Sequence, residues 1–381
     1  MLQHGYMDKL YLDHAAAAPP SAEAVAAFNA AAADCYANPG SLHQAGADAA
    51  RLIEKSRRKI SNLLNASNYQ LIFTATGTES NHLGIRGYAE DGRALVGAIE
   101  HPSSLNSVGA RDGGSAVLPV TADGRIDVER YRALLRDDVK LISVQWVNNE
   151  LGCIQPLRQL IQLAKQLAPR AHFHVDAIQA AGKFVLHFDQ LGADSYAIAA
   201  HKFGGIRGCA GFFYKKDGRA PEPTFVGGGH ELGIRSGTEN TMGIAAMAAA
   251  LEQRQGLLLE NSNFLHDSRQ KLLKAITEQC DIELLGPQDE TLTSGSIISF
   301  VMKGMRAEPF LHQLETHGIY IGSGSACNAH GHSESATLAA IGLKEEMRNS
   351  VLRISFSDSL SDALALRVAT AMALTAAFFK D

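Results

Sequence analysis

Two short stretches carry the residue types best suited to work on a bound cofactor. His172-Phe173-His174-Val175 reads as a buried strand that ends on an acid, Asp176, with Gln179 three residues on. Tyr196-Ala197-Ile198-Ala199-Ala200 reads as a second strand, ending on His201-Lys202. In an open α/β sheet, ligands lie outside the carboxyl ends of the strands, so the acid and the lysine are delivered to one place. An acid able to pair with a pyridinium nitrogen and a lysine able to form a Schiff base are the groups pyridoxal phosphate requires of a protein. Each residue alone has a plainer use. Lys202 would serve as a solvated charge at a strand end, and Asp176 as a helix N-cap.

The pattern extends well beyond these two strands. Asp176-x-x-Gln179 and His201-Lys202 are followed by Gly227-Gly228-Gly229-His230-Glu231 and Arg235-Ser236-Gly237-Thr238. Tyr11-Leu12-Asp13, Asn38-Pro39-Gly40-Ser41, Thr76-Gly77-Thr78-Glu79-Ser80, Val147-Asn148-Asn149-Glu150 and Gly324-Ser325-Ala326-Cys327 complete the series. In this order the motifs resemble those of the cysteine desulfurases, which belong to the class V aminotransferase group of fold-type I pyridoxal-phosphate enzymes. Any one tetrad is a weak signal; their order along nearly the whole chain is a strong one.

The resemblance implies a role for each position. Lys202 holds the cofactor as a Schiff base and then moves the substrate Cα proton. Asp176 keeps the pyridine nitrogen protonated, Gln179 donates to the phenolic oxygen, and Asn149 assists from another strand end. His101, in Glu100-His101-Pro102, stacks on the cofactor ring and shuttles protons. Gly77 and Thr78 receive the phosphate at a helix start, where Thr76 and Glu79 fit a capping box and exposed amides favour an anion. His201 reaches the same phosphate. Thr238 reaches it from the partner subunit of a homodimer. Arg353, between apolar neighbours in Val351-Leu352-Arg353-Ile354, clamps the substrate carboxylate, and Asn38 also contacts that carboxylate.

Cys327 stands in a run of small and polar residues, Gly322 to Ser333, that has the composition of an exposed loop. As a thiolate it could attack the sulfur of cofactor-bound cysteine and become a persulfide. Cys35, Cys153, Cys209 and Cys280 read as small core hydrophobes. His330 and His332 leave three uses open: lowering the thiol pKa, binding metal adventitiously, or keeping the loop solvated. No metal is expected in the site itself. Two departures from the family pattern stand out. Ala199 replaces the usual hydroxyl residue two places before His201-Lys202, which implies cofactor binding weaker by about tenfold to a hundredfold. The segment from Phe203 to Gly208 also lacks the usual proline.

The implied activity is conversion of L-cysteine to L-alanine, with sulfur passed to an acceptor protein in iron-sulfur cluster assembly or thiolation. The alternatives are a selenocysteine lyase or cysteine sulfinate desulfinase, a pyridoxal-phosphate aminotransferase, and a non-catalytic sulfur-transfer scaffold. Composition narrows the field. A net charge of -5 gives no basic footprint for nucleic acid. The apolar stretch from Val368 to Phe379 is shorter than the about 20 residues a membrane span needs, and the amino terminus has no signal-peptide pattern. Five scattered cysteines without CxxC spacing argue against a disulfide framework or zinc site and for a cytoplasmic enzyme.

These residues need a scaffold that brings strand ends together. Helical spacing predicts helices over Ala22–Tyr36, Gln44–Leu64, Asp127–Leu135 and Leu157–Leu167. Strands are expected at Leu71–Thr74, Ala94–Ile99, Ala116–Val120, Lys140–Val147 and Ala210–Tyr214, besides the two already named. Strand and helix in alternation imply parallel pairing and a doubly wound sheet, and the resemblance implies a large mixed one. A long helical region spans Thr241–Gln279 with a break at Gly256. A β/α pattern then resumes through Ser296–Met302, Pro309–His317 and Val351–Phe356, closed by a helix from Asp362. The expected organisation is an α/β chain of two domains. The large cofactor-binding domain covers 15–255; a small α/β domain combines 1–14 with 256–381 and carries the cysteine loop at about 322–336.

Overall fold

The computed structural model describes residues 9–88, 92–111, 113–324 and 335–379. Its strands are β1 Leu10–Leu12, β2 Tyr69–Thr74, β3 Arg93–Gly97, β4 Ser115–Leu118, β5 Val139–Gln145 and β6 His172–Asp176. There follow β7 Ser195–Ala199, β8 Ala210–Lys215, β9 Ile282–Leu285, β10 Ile297–Met302, β11 Ile319–Ser323 and β12 Val351–Ser355. Seven of them form one mixed sheet in the order β2-β8-β7-β6-β5-β3-β4. The run β7-β6-β5-β3-β4 is parallel, whereas β8 is antiparallel to both neighbours.

Parallel strands covered on both faces read as continuous apolar runs rather than alternating ones. All five residues of β7 are buried, and so are the last four of β6. On one side, the Phe188 ring stacks on Tyr196 of β7 with centroids 3.9 Å apart. On the other, helix Gly77–Arg86 packs on β7 and β8. The Ala-rich helix Thr241–Glu260 packs against helices Ala22–Asp34 and Gln44–Leu63. Small side chains permit that close approach.

The second sheet, β1-β11-β12-β10-β9, has its own core around Phe300, Phe310, Leu352 and Phe356. Helices Phe264–Gln279, Ala307–Glu315 and Asp362–Phe378 pack together beside it. β1 joins this sheet by parallel pairing with β11, more than three hundred residues downstream. No helix among the described residues is long and apolar enough to cross a membrane.

Local expectations needed correction in two places. The helix through Gly256 does not break there: it runs to Glu260, and the chain turns at Asn261-Ser262-Asn263, where Asn261 Oδ1 accepts from Asn263 N at 2.9 Å. Asparagine competes for backbone hydrogen bonds, whereas one glycine inside a helix costs only about 1 kcal/mol. As the β/α pattern expected, the segment Pro309–His317 lies mainly in a helix, Ala307–Glu315, between β10 and β12. Strands β9 and β11 escaped notice because each is short and not strictly alternating.

A buried charged cluster joins the two sheets. Lys183, beyond β6, donates to Ser357 Oγ beyond β12. Arg254 donates to the Ser357 carbonyl and, at 2.8 Å, to Asp358. Burial, helped by Arg254, lowers the Lys183 pKa to about 7. Between that value and the unfolded lysine's value of about 10.4, only the unfolded chain binds the proton, so the native state gains stability as pH rises. Lys183→Met removes this dependence. The parent's stability relative to Lys183→Met should therefore rise by about 1.4 kcal/mol per pH unit between about pH 7.5 and about pH 9.5. Denaturant unfolding of both proteins at those pH values checks it.

Candidate active site

Because β3, β5, β6 and β7 are parallel, their carboxyl ends share one edge of the large sheet. A cleft of about 340 Å³ opens there, lined by Gly77, Thr78, His101, Asn149, Asp176, Gln179, His201, Lys202 and Arg353. Asp176 ends β6, Arg353 stands in β12 of the second sheet, and the others follow the ends of β2, β3, β5, β6 and β7. Ala15, Ala16, Ser103, Gln145, Ile178 and Ala199 complete much of the wall.

Asp176 lies on the cleft floor, 5% exposed. Its Oδ1 accepts from Ile178 N at 2.9 Å and its Oδ2 from Asn81 Nδ2 at 2.7 Å. Burial raises its pKa; the two N–H donors, His101 and Lys202 oppose that rise. A buried carboxyl with N–H donors and no bidentate cation is a receptor for a protonated nitrogen. Lys202 follows β7 on a single 3-10 turn, Ala200–Lys202, and its Nζ donates to the carbonyls of Ala15 at 2.6 Å and Ala16 at 2.8 Å. Gln179 Nε2 donates to the same Ala15 carbonyl at 2.9 Å.

His101 caps helix Pro102–Gly109: Nδ1 accepts from Ser103 N at 3.1 Å and lies 2.8 Å from Ser103 Oγ. An Nδ1 that accepts places the proton of the neutral ring on Nε2. Burial lowers the His101 pKa, and Asp176 works in the opposite direction. His201 is pushed down to about 4, first by burial and then by Lys202 and Arg207. Both rings are neutral at pH 7.

Thr76 caps helix Gly77–Arg86, its side chain accepting from Glu79 N at 3.1 Å. Glu79 Oε2 accepts from Ala75 N at 2.8 Å, one residue earlier than a standard capping box. A Cβ on Gly77 would lie 2.3 Å from Ile178 Cδ1, so glycine is what lets the helix start approach the turn after Asp176. The cap and the anion-site readings coexist here, since the helix start also lines the cleft.

Arg353 is 2% exposed, and its carboxylate partner lies within the chain. Nη2 donates to Asp13 Oδ1 at 2.6 Å and Nη1 to the Asn149 carbonyl at 2.9 Å. The sequence motif Tyr11-Leu12-Asp13 thus has a structural use that its residue types did not disclose. Asn81, Ser103 and Gln145 also went unnoticed, being ordinary polar residues inside helix or strand patterns.

Two expected site residues, Thr238 and Asn38, are not in this cleft, and a third, Cys327, is not among the described residues. Thr238 lines a separate cavity of about 110 Å³ with Phe73, Thr74, Arg235 and Glu239. Its segment is anchored by Arg57, which donates from both Nη atoms to Glu231 at 2.7 and 2.8 Å, and by Arg235 to Glu79 at 2.8 Å. Asn38 is not brought to the cleft; its Oδ1 accepts from Gly40 N at 2.9 Å in a local turn. Cys327, with His330 and His332, lies outside the described residues. Among the described residues no cluster of His, Cys, Asp and Glu could hold a metal ion.

The donor set fits pyridoxal phosphate. An anionic receptor for a ring nitrogen, an amide for an oxygen, a capped helix start for a phosphate and a lysine amine face one cleft.

Comparison with known proteins accords with this geometry. The family model Aminotransferase class-V matches residues 10–360. A protein of Lactobacillus delbrueckii subsp. bulgaricus named NifS/IcsS protein homolog is 35% identical over 361 residues, 92% of each chain. An IscS-like cysteine desulfurase of Mycobacterium tuberculosis is 34% identical over 367 residues, 93% of this chain and 92% of that protein. The solved structure of a NifS-like protein from Rickettsia africae superposes with a TM-score of 0.86 at 28% identity, covering 98% of this chain and 99% of that one.

Proposed function

This chain belongs to the class-V aminotransferase family, and we propose that it is a cysteine desulfurase that moves the sulfur of L-cysteine onto its own Cys327 and releases L-alanine. One observation carries the reading: Lys202, Asp176, Gln179, His101 and Arg353, far apart in sequence, line a single cleft.

When bound, pyridoxal phosphate supplies an electron sink for the pair released at the substrate Cα. Asp176 holds a proton at the ring nitrogen, and Gln179 orients the ring through its amide. Gly77, Thr78 and His201 would receive the phosphate, and Asn149 would assist Gln179 at the ring oxygen. Lys202 Nζ takes the Cα proton and returns it at the end of the cycle. His101, neutral with its proton on Nε2, passes protons on the other side of the substrate. Arg353 orients the substrate carboxylate, and Asp13 keeps its guanidinium aimed at the cleft. The Cys327 thiolate attacks the substrate sulfur, so that an S–S bond forms as the substrate C–S bond breaks. L-Cysteine and one thiol become L-alanine and one persulfide, and atoms and electrons balance without an oxidant.

Sulfur is then handed to an acceptor protein of cluster assembly or thiolation. The working unit is a homodimer in which Thr238 serves the partner's phosphate site. Exposed Tyr36, Leu42, Phe225, Val226 and Leu232 support that pairing. Scattered cysteines without CxxC spacing support a cytoplasmic location. The large cofactor domain of 15–255 and the small domain of 1–14 with 256–381 fit the two separate cores.

The test compares the parent with Cys327→Ala in the presence of a reductant, measuring alanine, sulfide and protein-bound persulfide. The parent should be yellow and active, and the variant yellow with turnover lower by about a hundredfold and no persulfide. Equal activity on L-cysteine overturns the reading and favours a selenocysteine or sulfinate substrate. Release of a keto acid would make the protein an aminotransferase.

A further inference from the structure

Behind Asp176 runs a chain of buried polar groups that the proposed reaction does not use. His172 Nε2 lies 2.7 Å from Ser195 Oγ, and Ser195 Oγ lies 2.8 Å from His174 Nδ1. His174 Nε2 lies 3.1 Å from Asn81 Oδ1, and Asn81 Nδ2 donates to Asp176 Oδ2 at 2.7 Å and to Ser103 Oγ at 3.0 Å. His174, Asn81 and Ser195 are wholly buried. An amide oxygen only accepts, so the Asn81 contact places the His174 proton on Nε2. Nδ1 is then bare and accepts from the Ser195 hydroxyl, whose oxygen accepts from His172 Nε2–H. With Asp176 ionised, one arrangement of protons satisfies every group.

We propose that His174 is a positioning residue for Asp176: through Asn81 it fixes which face of the amide meets the carboxyl, and so keeps that carboxyl charged toward the cofactor ring. With the Asn81 amide reversed, its carbonyl would face Asp176 Oδ2, and only a protonated Asp176 could tolerate that contact. Reversal would need the His174 tautomer, the Ser195 hydroxyl and the His172 tautomer to switch together. This inference rests on the reading of Asp176 as the partner of the ring nitrogen.

A glycine supports it independently. Gly84 lies inside helix Gly77–Arg86, where glycine is a poor helix former. A Cβ there would lie 2.2 Å from His174 Nδ1 and 2.3 Å from Cε1. The missing side chain is the space the imidazole occupies. The surrounding charges also favour a neutral ring. Burial and His172 lower the His174 pKa to about 3; burial, Lys215, Arg219 and Arg111 lower that of His172 to about 3. At the other end of the chain, His101 and Lys202 face Asp176.

The test uses the full chain as parent, His174→Leu, His174→Gln and Gly84→Ala, with melting temperature as the folding control. Each is stripped of cofactor and titrated with pyridoxal phosphate, and the visible band of the loaded protein is followed from about pH 6 to about pH 9. His174→Leu should bind the cofactor about tenfold more weakly, the loss of one charge-assisted hydrogen bond, and shift the band's midpoint by about one pH unit. Glutamine keeps a donor toward Asn81 and should restore most of both. Gly84→Ala leaves every titrating group in place yet should move the midpoint by displacing the ring.

Folded His174→Leu with unchanged affinity and midpoint overturns the proposal. Where leucine prevents folding, an unchanged midpoint in Gly84→Ala does the same. A parent that binds no pyridoxal phosphate overturns the functional reading instead. The relay is then judged by nitrogen NMR of the cofactor-free protein: an Nε2–H tautomer that does not titrate supports it, and an Nδ1–H tautomer or a titrating His174 overturns it.

Discussion

Lys202→Ala should lower alanine production from L-cysteine by at least about 10⁴-fold, because the variant loses both the covalent attachment and the base. Its Nζ reaches the Ala15 and Ala16 carbonyls at 2.6 and 2.8 Å, so the side chain already points across the cleft from the end of β7. Proton transfer by a positioned group contributes about 10²–10⁴-fold, and the covalent attachment adds to that. Borohydride reduction supplies a second readout. The parent should retain the reduced cofactor on the peptide that contains Lys202, and the variant should retain none. A label on Lys183, the other buried lysine nearby, would sink the assignment.

Asp176→Asn should reduce turnover by about 10³-fold while leaving the protein folded and yellow. The substitution preserves size and lets Oδ1 still accept from Ile178 N. It cannot carry charge, and its amide nitrogen would meet the Asn81 donor where Oδ2 now sits. Removing one partner of a buried charge pair costs about 3–5 kcal/mol, which corresponds to about 10²–10³-fold or more in rate. The measurement is steady-state alanine release together with cofactor content. A plain cap residue would behave otherwise: the variant would melt earlier and turn over normally once loaded.

Which parts of the site were legible in the sequence follows from how far each residue acts. Asp176 and Lys202 could be read because a buried strand leaves an apolar run, and a polar residue ending such a run must emerge at the sheet edge. Thr76 and Glu79 could be read for a similar reason, since capping is a contact between near neighbours. The parallel sheet itself was legible in the alternation of strand with helix. The break at Asn261 was misplaced to Gly256 because glycine is tolerated within a helix that tertiary packing already holds.

The residue types and order of this chain by themselves determined a doubly wound sheet, the edge at which ligands collect, and the acid, amide, histidine and lysine delivered there. These are consequences of local periodicity and of parallel pairing, both of which act within a few tens of residues. Only the tertiary structure decided who meets whom across the chain. Arg353 finds Asp13 at a separation of 340 residues, and Asp176 finds Asn81 at 95. Such pairs arise when buried polar groups must be satisfied wherever packing has placed them, and nothing in the spacing of either residue announces the other.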